Sequence, residues 1–105
     1  MSNQPLLLKK EIFELAASGV KKSTSRKGKR DIKCGLLTFK MTEDENIQLV
    51  VNVTKVDFKP YSQISDAEAR KEGYASIGEL RDVLTKIYGI INDDELFTFV
   101  EFEKI

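Results

Sequence analysis

The alternation of apolar and polar residues from Ile47 to Phe58 changes phase partway along, and that break limits the folds open to this chain. Ile47, Leu49, Val51 and Val53 fall on one face of an extended strand, whereas Val56 and Phe58 fall on the other. A strand with a side-chain period of two keeps all six on one side only by inserting an extra residue. A bulge near Thr54 or Lys55 is therefore predicted. Such a shift re-aims a long strand and increases its twist, as happens where a sheet curls into a barrel. Pro60 ends the strand.

The remaining segments fit around that strand. Leu6, Leu7 and Leu8 predict a short strand, after which Ile12, Phe13, Ala16 and Val20 recur at helical spacing, with Gly19 as a left-handed stop. The hydroxyl and β-branched residues between Lys22 and Arg26 suit a strand. Gly28 turns the chain, and Gly35 admits another strand from Leu36 to Met41, followed by a polar hairpin loop at Glu43 to Asn46. Ser65 with Glu68, and Ser76 with Glu79, have capping-box spacing. Two helices in series are expected: a short one from Asp66 to Lys71, and one carrying Ile77, Leu80, Val83, Leu84 and Ile87 up to Gly89. Leu96 to Phe102 is the last strand. This order lacks the regular alternation that builds a parallel sheet, so an α+β domain with a curled, mainly antiparallel sheet is indicated. The six phenylalanines are expected in its core.

A chain of 105 residues forms one domain around one core. No segment reaches the apolar length needed to span a bilayer, and the start, Met1 to Pro5, lacks the charged-then-apolar pattern of an export signal. A cytoplasmic protein without membrane partners is expected. Cys34 is the single cysteine and cannot form an internal disulfide; it is expected as a small buried thiol at a strand entrance. With no histidine in the sequence, zinc sites and histidine-based catalysis lose their commonest ligand and base. Asp93, Asp94 and Glu95 are expected to be solvated turn residues rather than magnesium ligands, so neither a metal nor a cofactor is expected.

The formal net charge of zero hides a polarised surface. Lys21, Lys22, Arg26, Lys27, Lys29, Arg30 and Lys33 lie within one short segment against a single acid, Asp31, and an anion such as a phosphate relieves their repulsion. The patch is too small for a duplex surface, so duplex DNA is not expected, and a small ligand or a single strand fits it better.

Within this segment the arrangement Gly19-x-Lys21-x-x-Thr24-x-Arg26, joined to Glu72-Gly73-Tyr74, Glu79-Leu80, Tyr88-Gly89 and Phe99-Val100-Glu101-Phe102, resembles the ASCH domain family over nearly the whole chain. The resemblance implies a PUA-like fold, a small curled β-barrel flanked by helices, with members implicated in RNA binding and nucleoside chemistry. Among these, the chain looks most like the small bacterial N(4)-acetylcytidine amidohydrolases, which release acetate from N-acetylated cytidine. The positions matching that group's catalytic pattern are Lys21, Thr24 and Glu72, with Arg26 matching its accompanying arginine. The resemblance also leaves open a non-catalytic RNA-binding module and a single-strand ribonuclease.

Amide hydrolysis needs an activated oxygen nucleophile, a proton donor for the departing nitrogen, and positive groups facing the carbonyl oxygen. Lys21 acts as base, accepting the proton of the Thr24 hydroxyl, if its pKa is lowered by Lys22, Arg26 and Lys27 and by partial burial, and Glu72 then protonates the leaving nitrogen. Alternatively Glu72 is the base and Lys21 steadies the oxyanion. Arg26 would position a pyrimidine carbonyl or a phosphate, with Lys22 and Lys27 supporting the substrate. Thr24 and Arg26 share a face if they occupy one strand. Glu72 precedes Gly73 at an expected helix C-terminus, where a carboxylate opposes the helix dipole at a cost of about 0.3 to 1 kcal/mol, a placement that suggests another use. Tyr74 and Tyr61 are candidates for stacking on a base at the rim, or for packing against the barrel.

Overall fold

The computed structural model describes residues 3–105, so Met1 and Ser2, the first residues of the segment read for an export signal, lie outside the described residues. Its elements, in chain order, are β1 (Leu6–Leu8), α1 (Lys10–Ala17), β2 (Ser23–Lys27), β3 (Gly35–Met41), β4 (Asp44–Pro60), a 3-10 turn (Tyr61–Gln63), α2 (Asp66–Lys71), α3 (Ile77–Tyr88) and β5 (Leu96–Lys104). The register of β4 against β5 shifts between Val53 and Lys55, where the phase break predicts it. Val53 lies opposite Phe102 and Val56 opposite Val100, so the extra residue returns Val56 to the face that Val53 occupies. At the outer end of the strand Ile47 projects past the core and is exposed.

The five strands form one sheet in the order β1-β3-β4-β5-β2, antiparallel except for the β1–β3 pair. β1 and β2 are its edges, and the sheet curls until they approach: the Arg26 guanidinium on β2 donates to the Leu7 carbonyl on β1 at 2.9 Å. The curled face closes with α1 on a core of Phe13, Ala16, Phe39, Val51, Val53, Val100 and Phe102. The opposite face is covered by α2 and α3, which bury Ala69, Leu80 and Leu84 against Tyr61, Phe97 and Phe99. Alternate residues of β5 thus serve two cores, Val100 and Phe102 in one and Phe97 and Phe99 in the other, where the chain's length predicts a single core, because the sheet is covered on both faces. Among the described residues, no helix is long and apolar enough to cross a membrane.

Several local expectations are corrected. Cys34 is exposed rather than buried, because the segment after Gly28 runs outside the barrel and inserts only Ile32 into the core. Phe58 is 39% exposed, unlike the other phenylalanines, and the Lys29 ammonium sits 5.2 Å from its ring centroid. The hairpin is tighter than predicted, since β4 already starts at Asp44; the Glu43 carboxylate instead accepts from the Lys10 amide at 3.0 Å, at the positive end of α1. Val20 lies beyond the end of α1 and is exposed. Both halves of the capping box form at Ser65 and Glu68, but Ser76 makes only the serine half with the Glu79 amide, and the Ile77 amide is taken by the Asp66 carboxylate at 2.8 Å.

The Ser65 box fixes the start of α2 and hence the place where that helix ends. Replacing Ser65 by alanine is expected to destabilise the protein by about 0.5–2 kcal/mol, read as a lower midpoint in denaturant with an unchanged slope.

Candidate active site

The end of α1 and the end of α2 are stitched together by main-chain hydrogen bonds. Gly19, at φ +87°, turns the chain out of α1, after which the Lys21 amide donates to the Leu15 carbonyl at 3.0 Å and the Lys22 amide to the Lys71 carbonyl at 2.6 Å. The Lys22 carbonyl accepts from the Phe102 amide at 3.0 Å. Glu72 caps α2, and Gly73, at φ +98°, turns the chain away; a Cβ there would lie 3.5 Å from Leu15 and be held in a conformation that L residues rarely adopt. Lys21 and Glu72 are therefore adjacent because their backbones are.

Both side chains are buried, each residue 3% exposed. The Lys21 ammonium lies 3.4 Å from Glu72 Oε1 and 3.5 Å from the Glu72 carbonyl oxygen. That separation is long for a charge-assisted hydrogen bond, which typically spans about 2.7–2.9 Å. The shorter contact to the carboxylate comes from Ser25, whose hydroxyl lies 3.0 Å from each of the two oxygens. Sequence reasoning passed over Ser25. Its register explains the contact: Ser25 lies opposite Phe99 and so faces α2 and α3, whereas Thr24 lies opposite Val100 and faces the other core. The usable signal was the run Ser23-Thr24-Ser25, which puts a hydroxyl on each face of the strand.

Lys21, Thr24, Ser25, Arg26, Glu72 and Tyr74 line one cleft at the β2 edge, walled by Ile12 of α1 and by Leu80, Val83, Leu84 and Ile87 of α3. The space between these walls is ≈ 270 Å³, part of it open to solvent. As it stands, with Tyr74 and Ile87 in its wall, the cleft is too narrow for a ring-sized ligand. Lys22 is exposed and lines a separate depression with Gly19, Phe102 and Lys104, while Lys27 pairs with Glu95 at 3.5 Å; neither lines this cleft. Tyr61 is 6% exposed and packs on Phe97 in the helix-side core, away from the cleft lining.

Burial dominates the electrostatics. It lowers the pKa of Lys21 from its ordinary value, against the opposing pull of Glu72, and Arg26 lowers it slightly further. Lys22 and Lys27, expected from the sequence to help, are not among the causes. Burial likewise raises the Glu72 carboxyl above its ordinary range, opposed by Lys21, Ser25 and Arg26. Tyr74 is raised mainly by burial and then by the nearby Glu72 and Glu79. Both members of the pair are thus pushed toward their neutral forms. Among the described residues, no group of three or more histidine, cysteine, aspartate or glutamate side chains is placed to hold a metal.

Comparison with known proteins accords with this architecture. The model of the ASCH domain family matches residues 4–105. The ASCH domain of Lactobacillus crispatus JV V101 superposes with a TM-score of 0.77 at 16% identity, over 98% of this chain and 80% of that one. A protein from Enterococcus faecalis V583 gives 0.74 at 17% identity, over 100% and 81%. A mutant ASCH protein from Zymomonas mobilis gives 0.70 at 13% identity, over 95% and 66%. At such identities the likeness is one of fold, and no curated protein matches the sequence.

The buried pair makes a directional prediction. Lys21→Met leaves the carboxylate without its cation and is expected to cost about 3–5 kcal/mol at neutral pH, while Lys21→Met with Glu72→Leu recovers most of that loss. In the single variant the folded pKa of Glu72 rises further above its unfolded value. The folded state then binds more protons, so stability is highest in acid and falls as pH rises through the folded pKa. Melting temperatures of both variants between pH 4 and 8 test the sign.

Proposed function

Since this chain belongs to the ASCH domain family, with its PUA-like α+β fold, we propose that its cleft hydrolyses the amide of an N-acetylated or otherwise N-acylated cytidine, or of a related modified pyrimidine nucleoside. The observation that carries this is the buried Lys21–Glu72 pair, 3.4 Å apart at the cleft and displaced toward neutrality on both sides. Two groups so displaced give up and accept a proton more readily than an ordinary ion pair, as suits an acid and a base acting on one amide.

Glu72 is the base that takes the proton of the attacking oxygen and returns it to the departing exocyclic nitrogen. Lys21 faces the carbonyl oxygen and stabilises its developing charge in a site with little water. Arg26, anchored at one nitrogen by the Leu7 carbonyl, keeps its remaining donors for a pyrimidine carbonyl. Thr24, 2% exposed, closes the cleft from the face of Val100, and Tyr74 yields to admit the base and stacks on it.

Purified protein is expected to release acetate from N(4)-acetylcytidine. Lys21→Ala and Glu72→Gln are each expected to lower kcat/KM by about 10²–10⁴-fold without loss of the far-ultraviolet spectrum of the folded chain. The rate should follow a narrow bell in pH. Its acid limb lies above the ordinary carboxylate range, because Glu72 is raised, and its alkaline limb lies below the ordinary lysine value, because Lys21 is lowered. No acetate release, together with salt-sensitive binding of single-stranded RNA, would favour the RNA-binding role instead.

A further inference from the structure

Ser25 is the hydroxyl that meets the carboxylate. Its Oγ stands 3.0 Å from both Glu72 Oε1 and Glu72 Oε2, and the residue is 3% exposed at the cleft lining. Behind it, the Lys21 ammonium contacts Oε1 at 3.4 Å, so Oε1 is shared between lysine and serine while Oε2 meets the serine alone. A hydroxyl within hydrogen-bond reach of a base that a third group orients is the geometry of an activated oxygen nucleophile. Thr24 does not share it, because strand parity turns its side chain to the face of Val100.

We propose that Ser25 is the nucleophile of this cleft and carries the acyl group as a transient ester. The assignment rests on the amide-hydrolase function proposed above, and its chemistry balances in two steps. In the first, Ser25 Oγ bonds to the acyl carbon and its proton passes to Glu72. The amide C–N bond then breaks, the proton moves from Glu72 to the departing nitrogen, and the free amine leaves. In the second, a water oxygen bonds to the ester carbon and gives a proton to Glu72. The ester C–O bond breaks, Ser25 recovers that proton and the carboxylic acid departs. Lys21 faces the carbonyl oxygen in both steps, and no oxidant or further reactant enters.

The test uses an activated ester, 4-nitrophenyl acetate, so that it does not depend on the nucleoside. The intact protein is quenched in acid during turnover, digested and mapped by mass spectrometry. An acetyl group is expected on the peptide at Ser25 in wild type, and no label at that position in Ser25→Ala or Glu72→Gln. With N(4)-acetylcytidine, Ser25→Ala should lose about 10³-fold or more in kcat/KM. Glu72→Gln preserves the shape of the side chain, so its lack of label distinguishes lost activation from a lost fold. Label on another residue, an unlabelled wild type, or Ser25→Ala hydrolysing either compound at the wild-type rate overturns the assignment. Label on Ser25 without hydrolysis of acetylcytidine upholds the nucleophile and removes only the nucleoside as substrate.

Discussion

A seventeen-residue strand that wraps one core along much of its length cannot stay flat and in a single register. The extra residue between Val53 and Lys55 in β4 meets that constraint, and much of the architecture follows from it. It keeps Val51, Val53 and Val56 on the side enclosed with α1 while the strand bends, and the bend carries the sheet round until β1 faces β2. A side chain rather than a ladder of main-chain bonds joins those edges, through Arg26 and Leu7. The cleft lies along the β2 edge, bounded by α1 on one side and α3 on the other.

Placing an ammonium and a carboxylate in that position runs against desolvation. Removing two ions from water costs several kcal/mol each, and a 3.4 Å contact recovers only part of it. Ser25 offsets some of the remainder by bonding the carboxylate, which lowers the Glu72 pKa against the upward push of burial. Such a balance contributes little to stability and suits the proton exchange proposed for the pair.

The fold was largely written in local patterns. The phase break located the bulge, Pro60 ended β4, and Ser65 with Glu68 marked the start of α2, because each is a short-range device whose geometry its own residues determine. Lys21 and Glu72 could be named from their place in a known pattern, and the structure brings them together. Ser25 could not, since its partner lies 47 positions away and one strand step decides which hydroxyl faces it. Cys34 and Phe58 were misjudged for a related reason: composition says that thiols and phenyl rings tend to be interior, but only the path of the chain after Gly28 decides whether these two are. The influence of Lys22 and Lys27 on Lys21 failed similarly, because one is exposed and the other is committed to Glu95.

The junction at Lys22 has a further consequence. Its amide and carbonyl are both spoken for, one by the last residue of α2 and the other by β5, and the preceding Lys21 amide is held by α1, so three elements share a single peptide segment as their common fastening. The side chains of Lys21, Ser25 and Glu72 lie beside that fastening, which is made by the main chain. Exchanging the side chains at 21, 25 or 72 therefore leaves those main-chain bonds in place, and the cost of each exchange lies in the buried charge balance, so a change at one position calls for a matching change at its partner.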